Sequence, residues 1–433
     1  MPSVQLHRDH SVYGPFTVYR HTNRLLLPAN RRLARGRAKG LGVFLAVFMT
    51  SWLTIDYTIY DVGTRSITFM MLAGAGFGLL RFTRTATWLI APLLSTAVAL
   101  AVALTYQSGP RVWTHLLSQL LALVVGAGAA GFDWERHIKV LHRIMLFLAI
   151  PVLLYAAYQS VARAVGLPFA YLPVTNQQVG CTYQRGYGEA PTTRASSFFA
   201  EPSDLGYFSL WLLCIGLSSA KGLMQRAALL CALAGLVLSQ SLGGIIGAGL
   251  LFVVYVVKKR RVVHAVQALI AGLIVFSAAS LWLSAGLHSV VTRVTAAARL
   301  DLSADSGRVS MIPELAAVAA EAPLLGHGLS STANLPHGVG AVGYLALGIE
   351  RGLVGTLLFL LPFVWAFGVL LLSTARAEST AMDTALFLAI LNLYSFTTFA
   401  VLYFLPFWLA LGMTLWAARR VLLVRRRHRE TKR

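Results

Sequence analysis

Residues 86–106, ATWLIAPLLSTAVALAVALTY, carry no charged side chain. A helix needs about 20 predominantly apolar residues to cross the hydrocarbon of a bilayer, so this stretch reads as a membrane span. Eleven further stretches read alike: 41–58, 64–80, 112–131, 140–162, 203–220, 225–240, 242–257, 263–286, 352–373, 380–396 and 399–418. The expectation is an all-α polytopic integral membrane protein of about 12 transmembrane helices, with both ends on one side. Two of the spans, 225–240 and 242–257, are short and joined by Ser239-Gln240-Ser241. Their basic flanks, Lys221/Arg226 and Lys258–Arg261, mark them as a hairpin.

Composition agrees. Of 433 residues, 57% are hydrophobic and 12% charged, against about 25% charged in soluble domains. An ordinary cytosolic enzyme, a disordered chain and a disulfide-stapled secreted domain are excluded. The three cysteines, Cys181, Cys214 and Cys231, have neither disulfide nor zinc spacing. Some 40 polar, basic residues precede the first apolar stretch, which speaks against a cleaved signal peptide.

The net charge of +21 sits in particular places. Residues 1–40 and 419–433 are read as cytoplasmic basic termini around a transmembrane domain, 41–418. The basic loops follow the positive-inside rule, and the ends face anionic lipid. A nucleic-acid partner would need one continuous basic face, and none is evident. Nine cations fall on the opposite side, all arginine: Arg65, Arg111, Arg163, Arg185, Arg194, Arg293, Arg299, Arg308 and Arg351. Arginine grips phosphate oxygens with a rigid two-pronged donor.

Two loops on that side are long, 163–202 and 287–351, and such loops are usually functional. In the second, 288–299 and 308–322 have helical spacing, with Pro313 in a first turn where a missing N–H is tolerated. Residues 338–349 read as a helix leaning on the bundle or partly re-entrant. The helical loop is expected to cap a cavity.

This second loop carries Ser306-Gly307-Arg308, Pro323-Leu324-Leu325-Gly326-His327-Gly328, Leu335-Pro336-His337-Gly338 and Glu350-Arg351-Gly352-Leu353-Val354-Gly355. The first carries Arg194-Ala195-Ser196-Ser197-Phe198-Phe199-Ala200-Glu201-Pro202-Ser203, with Ser203 a candidate helix cap. In this order, over roughly 180–360, the motifs resemble the O-antigen ligase family and its superfamily of lipid-linked polysaccharide ligases and polymerases. Ser239-Gln240-Ser241 resembles the family's Ser-x-Ser step. The sequence departs from the family at Leu242, where Arg is frequent, and at Gly338, where Asn is common.

The resemblance implies a donor glycan on undecaprenyl pyrophosphate and a lipid A–core acceptor, joined on the periplasmic face of the inner membrane. It implies neither cofactor nor metal, and no metal-binding acidic cluster is visible. An O-antigen polymerase, with a lipid-linked glycan as acceptor, stays open. An anion or lipid transporter is a third reading, disfavoured by the lack of internal repeats.

The residue types suit glycosyl transfer. A sugar hydroxyl needs a base during attack, and imidazole, ordinarily near pKa 6.5, is suited to it. His337 is the expected base, with His327 as fallback. Arg194 and Arg308, supported by Arg185 and Arg293, are expected on the pyrophosphate, stabilising the leaving group's charge. Glu350 and Arg351 form a local ion pair, or Glu350 orients His337 or an arginine. Arg65, Arg111 and Arg163, near span ends, read as headgroup anchors. Gly352, Gly355 and the glycines at 243–249 read as close helix packing; no Gly-Lys-Ser/Thr follows the latter, so it is no phosphate loop. Tyr183, Tyr187, Phe198 and Phe199 are candidates for stacking on sugars.

Overall fold

A computed structural model describes residues 58–59, 62–63, 86–106, 110–169, 194–199, 202–219, 222–259, 312–334, 343–372, 379–398 and 405–431. Among the described residues the protein is helical apart from one short antiparallel pair, β1 (Thr58–Ile59) with β2 (Val62–Gly63), at the turn between the first two expected spans. Ten α-helices follow: α1 (Ile90–Tyr106), α2 (Pro110–Ala130), α3 (Trp134–Val165), α4 (Pro202–Ser218), α5 (Leu223–Ser239), α6 (Leu242–Lys259), α7 (Ile312–Glu321), α8 (Gly343–Leu371), α9 (Thr380–Thr398) and α10 (Leu405–Glu430). Short 3-10 turns cover Ala86–Leu89 and Ser331–Asn334.

Nine of the expected spans coincide with helices, whereas 263–286 and nearly all of 41–58 and 64–80 lie outside the described residues. Four segments are long and apolar enough to cross a membrane: Thr87–Thr105, Trp134–Arg163, Gly343–Leu371 and Pro406–Arg426. Shorter apolar helices accompany them at His115–Ala130, Leu223–Ser239, Leu242–Lys258 and Thr380–Phe396. Two boundaries differ from the sequence reading. α8 begins at Gly343 rather than 352, and α10 runs on to Glu430 through the basic segment. α4 starts at Pro202, a favoured first helical residue, so Ser203 sits in the first turn rather than at the cap.

Almost every side chain of α4 is buried, and α4 packs against α5, α6 and α9. A second centre is aromatic: Phe359, Phe363, Phe396, Phe407 and Trp408 meet edge-on or stacked, with centroids 5.1–6.1 Å apart. Around this core Phe147, Leu154, Leu230, Val253 and Leu357 are each more than half exposed. In water such a belt would favour association, whereas lipid tails are as apolar as leucine.

Polar contacts tie helix ends together. At one end, Lys258 of α6 pairs with Asp383 of α9, Arg420 of α10 with Glu135 of α3, and Arg425 donates to the Leu372 carbonyl (3.0 Å). At the other, Tyr344 Oη donates to the Leu393 carbonyl (2.8 Å) and Tyr394 Oη to the Gly243 carbonyl (2.6 Å). The starts of α6 and α8 and the end of α9 therefore share the end to which both long loops return.

Candidate functional site

Two motifs of the second loop meet at a backbone joint. α8 is interrupted at Gly352, whose φ is +62°. In an unbroken helix Leu353 N–H would donate to Ile349 and Val354 N–H to Glu350. Here the Pro323–Gly328 turn takes those places. His327 N–H donates to the Ile349 carbonyl (2.7 Å) and Gly328 N–H to the Glu350 carbonyl (3.1 Å). In return Leu353 N–H donates to the Pro323 carbonyl (2.8 Å) and Val354 N–H to the Leu324 carbonyl (3.2 Å). Four groups that a helix break would orphan are thus satisfied, as a low-dielectric setting requires. A Cβ on Gly352 would lie 2.3 Å from Leu324 C and O, and one on Gly326 would lie 2.5 Å from Gly352 N. Gly352 is indeed a point of close approach, but to a turn rather than to another helix.

The joint separates Glu350 from Arg351. Glu350 is buried, and its Oε1 accepts from Thr332 Oγ1 at 2.7 Å. Its Oε2 is buried without a hydrogen-bond partner among the described residues. Arg351, fully buried, turns to α1 and α2: Nη1 donates to Ser95 Oγ (2.8 Å) and Thr96 Oγ1 (3.2 Å), and Nη2 donates to Gln119 Oε1 (2.5 Å). Ser95 Oγ donates on to the Gly355 carbonyl (2.7 Å), and the guanidinium carbon lies 4.7 Å from the Phe359 ring centroid. Arg351 thus bonds to neutral hydroxyl and amide groups of two other helices, while its charge still acts on the neighbouring Glu350 carboxylate. No sequence signal near Arg351 points to Gln119, which lies on another helix.

His327 is tied into the same turn. Its Nε2–H donates to the Val318 carbonyl of α7 (2.9 Å), and the ring lies 4.0 Å from the exposed Glu321 carboxylate. This fastens α7 to the turn and occupies one ring nitrogen, Nε2.

In the first loop, residues 194–199 lie between the C-terminal ends of α3 and α5. Ala195 N–H donates to the Leu238 carbonyl (2.9 Å) and Arg194 Nε–H to the Ser239 carbonyl (3.3 Å). The sequence-predicted Arg194 and Ser239-Gln240-Ser241 are therefore neighbours. Gln240 reverses the chain with φ +47°, and Ser241 Oγ accepts from Gly244 N–H (3.1 Å), capping α6. Gly206 of α4 makes room, since a Cβ there would lie 2.8 Å from Ser241 Cβ. Arg163 departs from its expected role. It is buried, donating to the Arg194 carbonyl and to Ser196 Oγ (3.1 Å), so it is no headgroup anchor. Phe199 is fully buried against Phe208, leaving no face for a sugar, while half-buried Phe198 stacks on Tyr155 at 4.9 Å.

A family model described as O-antigen ligase matches residues 227–360. Over this segment the chain is similar to the O-antigen ligase family. No curated protein matches the chain. The family segment runs from α5 through the Ser239–Ser241 turn, α7 and the Pro323–Gly328 turn to the second half of α8, so it contains both sides of the joint. It also spans His337, Arg293 and Arg308, which with Arg185, Tyr183 and Tyr187 lie outside the described residues. Among the described residues no three His, Cys, Asp or Glu side chains cluster as a metal site would need.

Proposed function

We propose that the protein transfers O-antigen polysaccharide from undecaprenyl pyrophosphate to lipid A–core, as an inverting, metal-independent glycosyltransferase of the bacterial inner membrane. The observation that carries this reading is the O-antigen ligase match over 227–360. About twelve spans place both termini in the cytoplasm and the loops 163–202 and 287–351 in the periplasm, the latter capping the site.

In this reaction an acceptor sugar hydroxyl attacks the donor's anomeric carbon. His337 takes the hydroxyl proton, and the bond from that carbon to the pyrophosphate oxygen breaks with its electron pair. Attack opposite the leaving group inverts the centre. Arg194 and Arg308, with Arg185 and Arg293 in support, hold the pyrophosphate and stabilise the charge it gains. Two features support the arrangement. Arg194 is part-buried, with its Nε–H on the Ser239 carbonyl beside the Ser239–Ser241 turn. Thr332 bonds to Glu350 and Tyr344 to α9. Glu350 supports the base: its Oε2 can accept an imidazole N–H and so fix the tautomer that leaves the other nitrogen basic.

Purified protein supplied with undecaprenyl-pyrophosphate-linked glycan and lipid A–core tests this directly. Glycan on the core is the expected product. Longer lipid-linked chains with unmodified core would identify a polymerase, and uptake into liposomes without glycan product would identify a transporter.

A further inference from the structure

We infer that Arg163 and Gln159 of α3 are positioning residues for Arg194, setting the grip on the donor's pyrophosphate; this rests on the reading of Arg194 given above. The two residues are four apart and so share one face of α3. Both are buried, and both bond to the segment 194–197.

Gln159 holds the segment from both directions. Its Oε1 accepts from Ser197 N–H (2.6 Å) and Ser196 N–H (3.2 Å), while its Nε2–H donates to the Ser197 carbonyl (3.3 Å). Arg163 holds the Arg194 carbonyl and the Ser196 hydroxyl. Ser197, with φ +54°, adds a bond from its Oγ to the Val152 carbonyl (2.6 Å). α3 therefore fixes the peptide on the C-terminal side of Arg194, and α5 holds its side chain through the Ser239 carbonyl. A two-pronged contact to phosphate depends on the plane and position of the guanidinium, so the backbone that carries it must not drift. Lysine at 163 would keep the charge but lack the planar fork that spans two acceptors.

The test uses purified full-length protein carrying Arg163→Lys, Arg163→Ala, Arg194→Ala and the Arg163→Ala/Arg194→Ala double substitution. Donor KM, acceptor KM and kcat are measured per folded molecule, with product inhibition by undecaprenyl pyrophosphate. Arg163→Lys is expected to raise donor KM and the inhibition constant about tenfold with acceptor KM unchanged. The double variant is expected to be no worse than Arg194→Ala, since residues acting through one contact are not additive. Unaltered donor KM in Arg163→Lys while Arg194→Ala is impaired would overturn the positioning role alone. Independent, additive losses in the double variant would overturn it too. Full activity of Arg194→Ala would instead overturn the reading of Arg194 itself. If neither Arg163 variant accumulates, Ser196→Ala, which removes one acceptor, decides: a raised donor KM supports the role, and an unchanged one refutes it.

Discussion

Gly352→Ala is the sharpest test of the joint between α8 and the Pro323–Gly328 turn. The new Cβ would stand 2.3 Å from Leu324 C and O and 2.5 Å from Leu325 N, all backbone atoms that cannot swing aside. At φ +62° an L-residue also costs about 1–2 kcal/mol. If the turn retreats, Leu353 and Val354 lose their bonds to Pro323 and Leu324, each worth about 1 kcal/mol net. If α8 instead straightens, those two amides regain Ile349 and Glu350, but His327 and Gly328 N–H are displaced, leaving donors unpaired at about 1–3 kcal/mol each. The first route loses about 3–4 kcal/mol and the second about 2–6 kcal/mol. Gly348, in the same helix, has nothing within 4 Å of its would-be Cβ. Gly348→Ala should therefore be neutral or stabilising by up to about 1 kcal/mol through helix propensity. The assay is the thermal denaturation midpoint of detergent-purified protein at one scan rate. A Gly352→Ala midpoint equal to wild type, or above that of Gly348→Ala, would refute the argument.

His337→Ala should abolish transfer while the denaturation midpoint stays near wild type; retained turnover would remove the proposed base. Arg308→Lys should lower kcat/KM at least tenfold despite the retained charge, and an indistinguishable Lys variant would make Arg308 an anchor only. Arg351→Ala should destabilise by about 3 kcal/mol or more, because Ser95, Thr96 and Gln119 lose a shared donor inside the bundle; an unchanged midpoint would contradict this. His327→Gln should keep most transfer activity and lower the midpoint modestly, since only the tie to Val318 is at risk; complete loss of transfer in folded protein would restore His327 as a candidate base.

The family resemblance was legible in the ordered motifs: residues 227–360 match the family that the motifs resemble. Their division of labour was not legible. Gly326-His327-Gly328 and Glu350–Gly355 read as two signals, yet they are two halves of one joint. Arg163 and Arg194 read as an anchor and a ligand, yet one arginine holds the other's carbonyl. Arginine type was available from the chain, but burial was not.

The sequence by itself determined which segments are helices and that their solvent is apolar, because hydropathy and span length are sums over contiguous residues. Tertiary structure decided where α8 breaks, why Glu350 and Arg351 part, and which arginines remain accessible. Those outcomes turn on hydrogen-bond exchange between residues distant in the chain, Pro323 with Leu353 and Gln119 with Arg351. A buried polar group takes whatever partner the packing brings to it, and that partner is written in no local pattern.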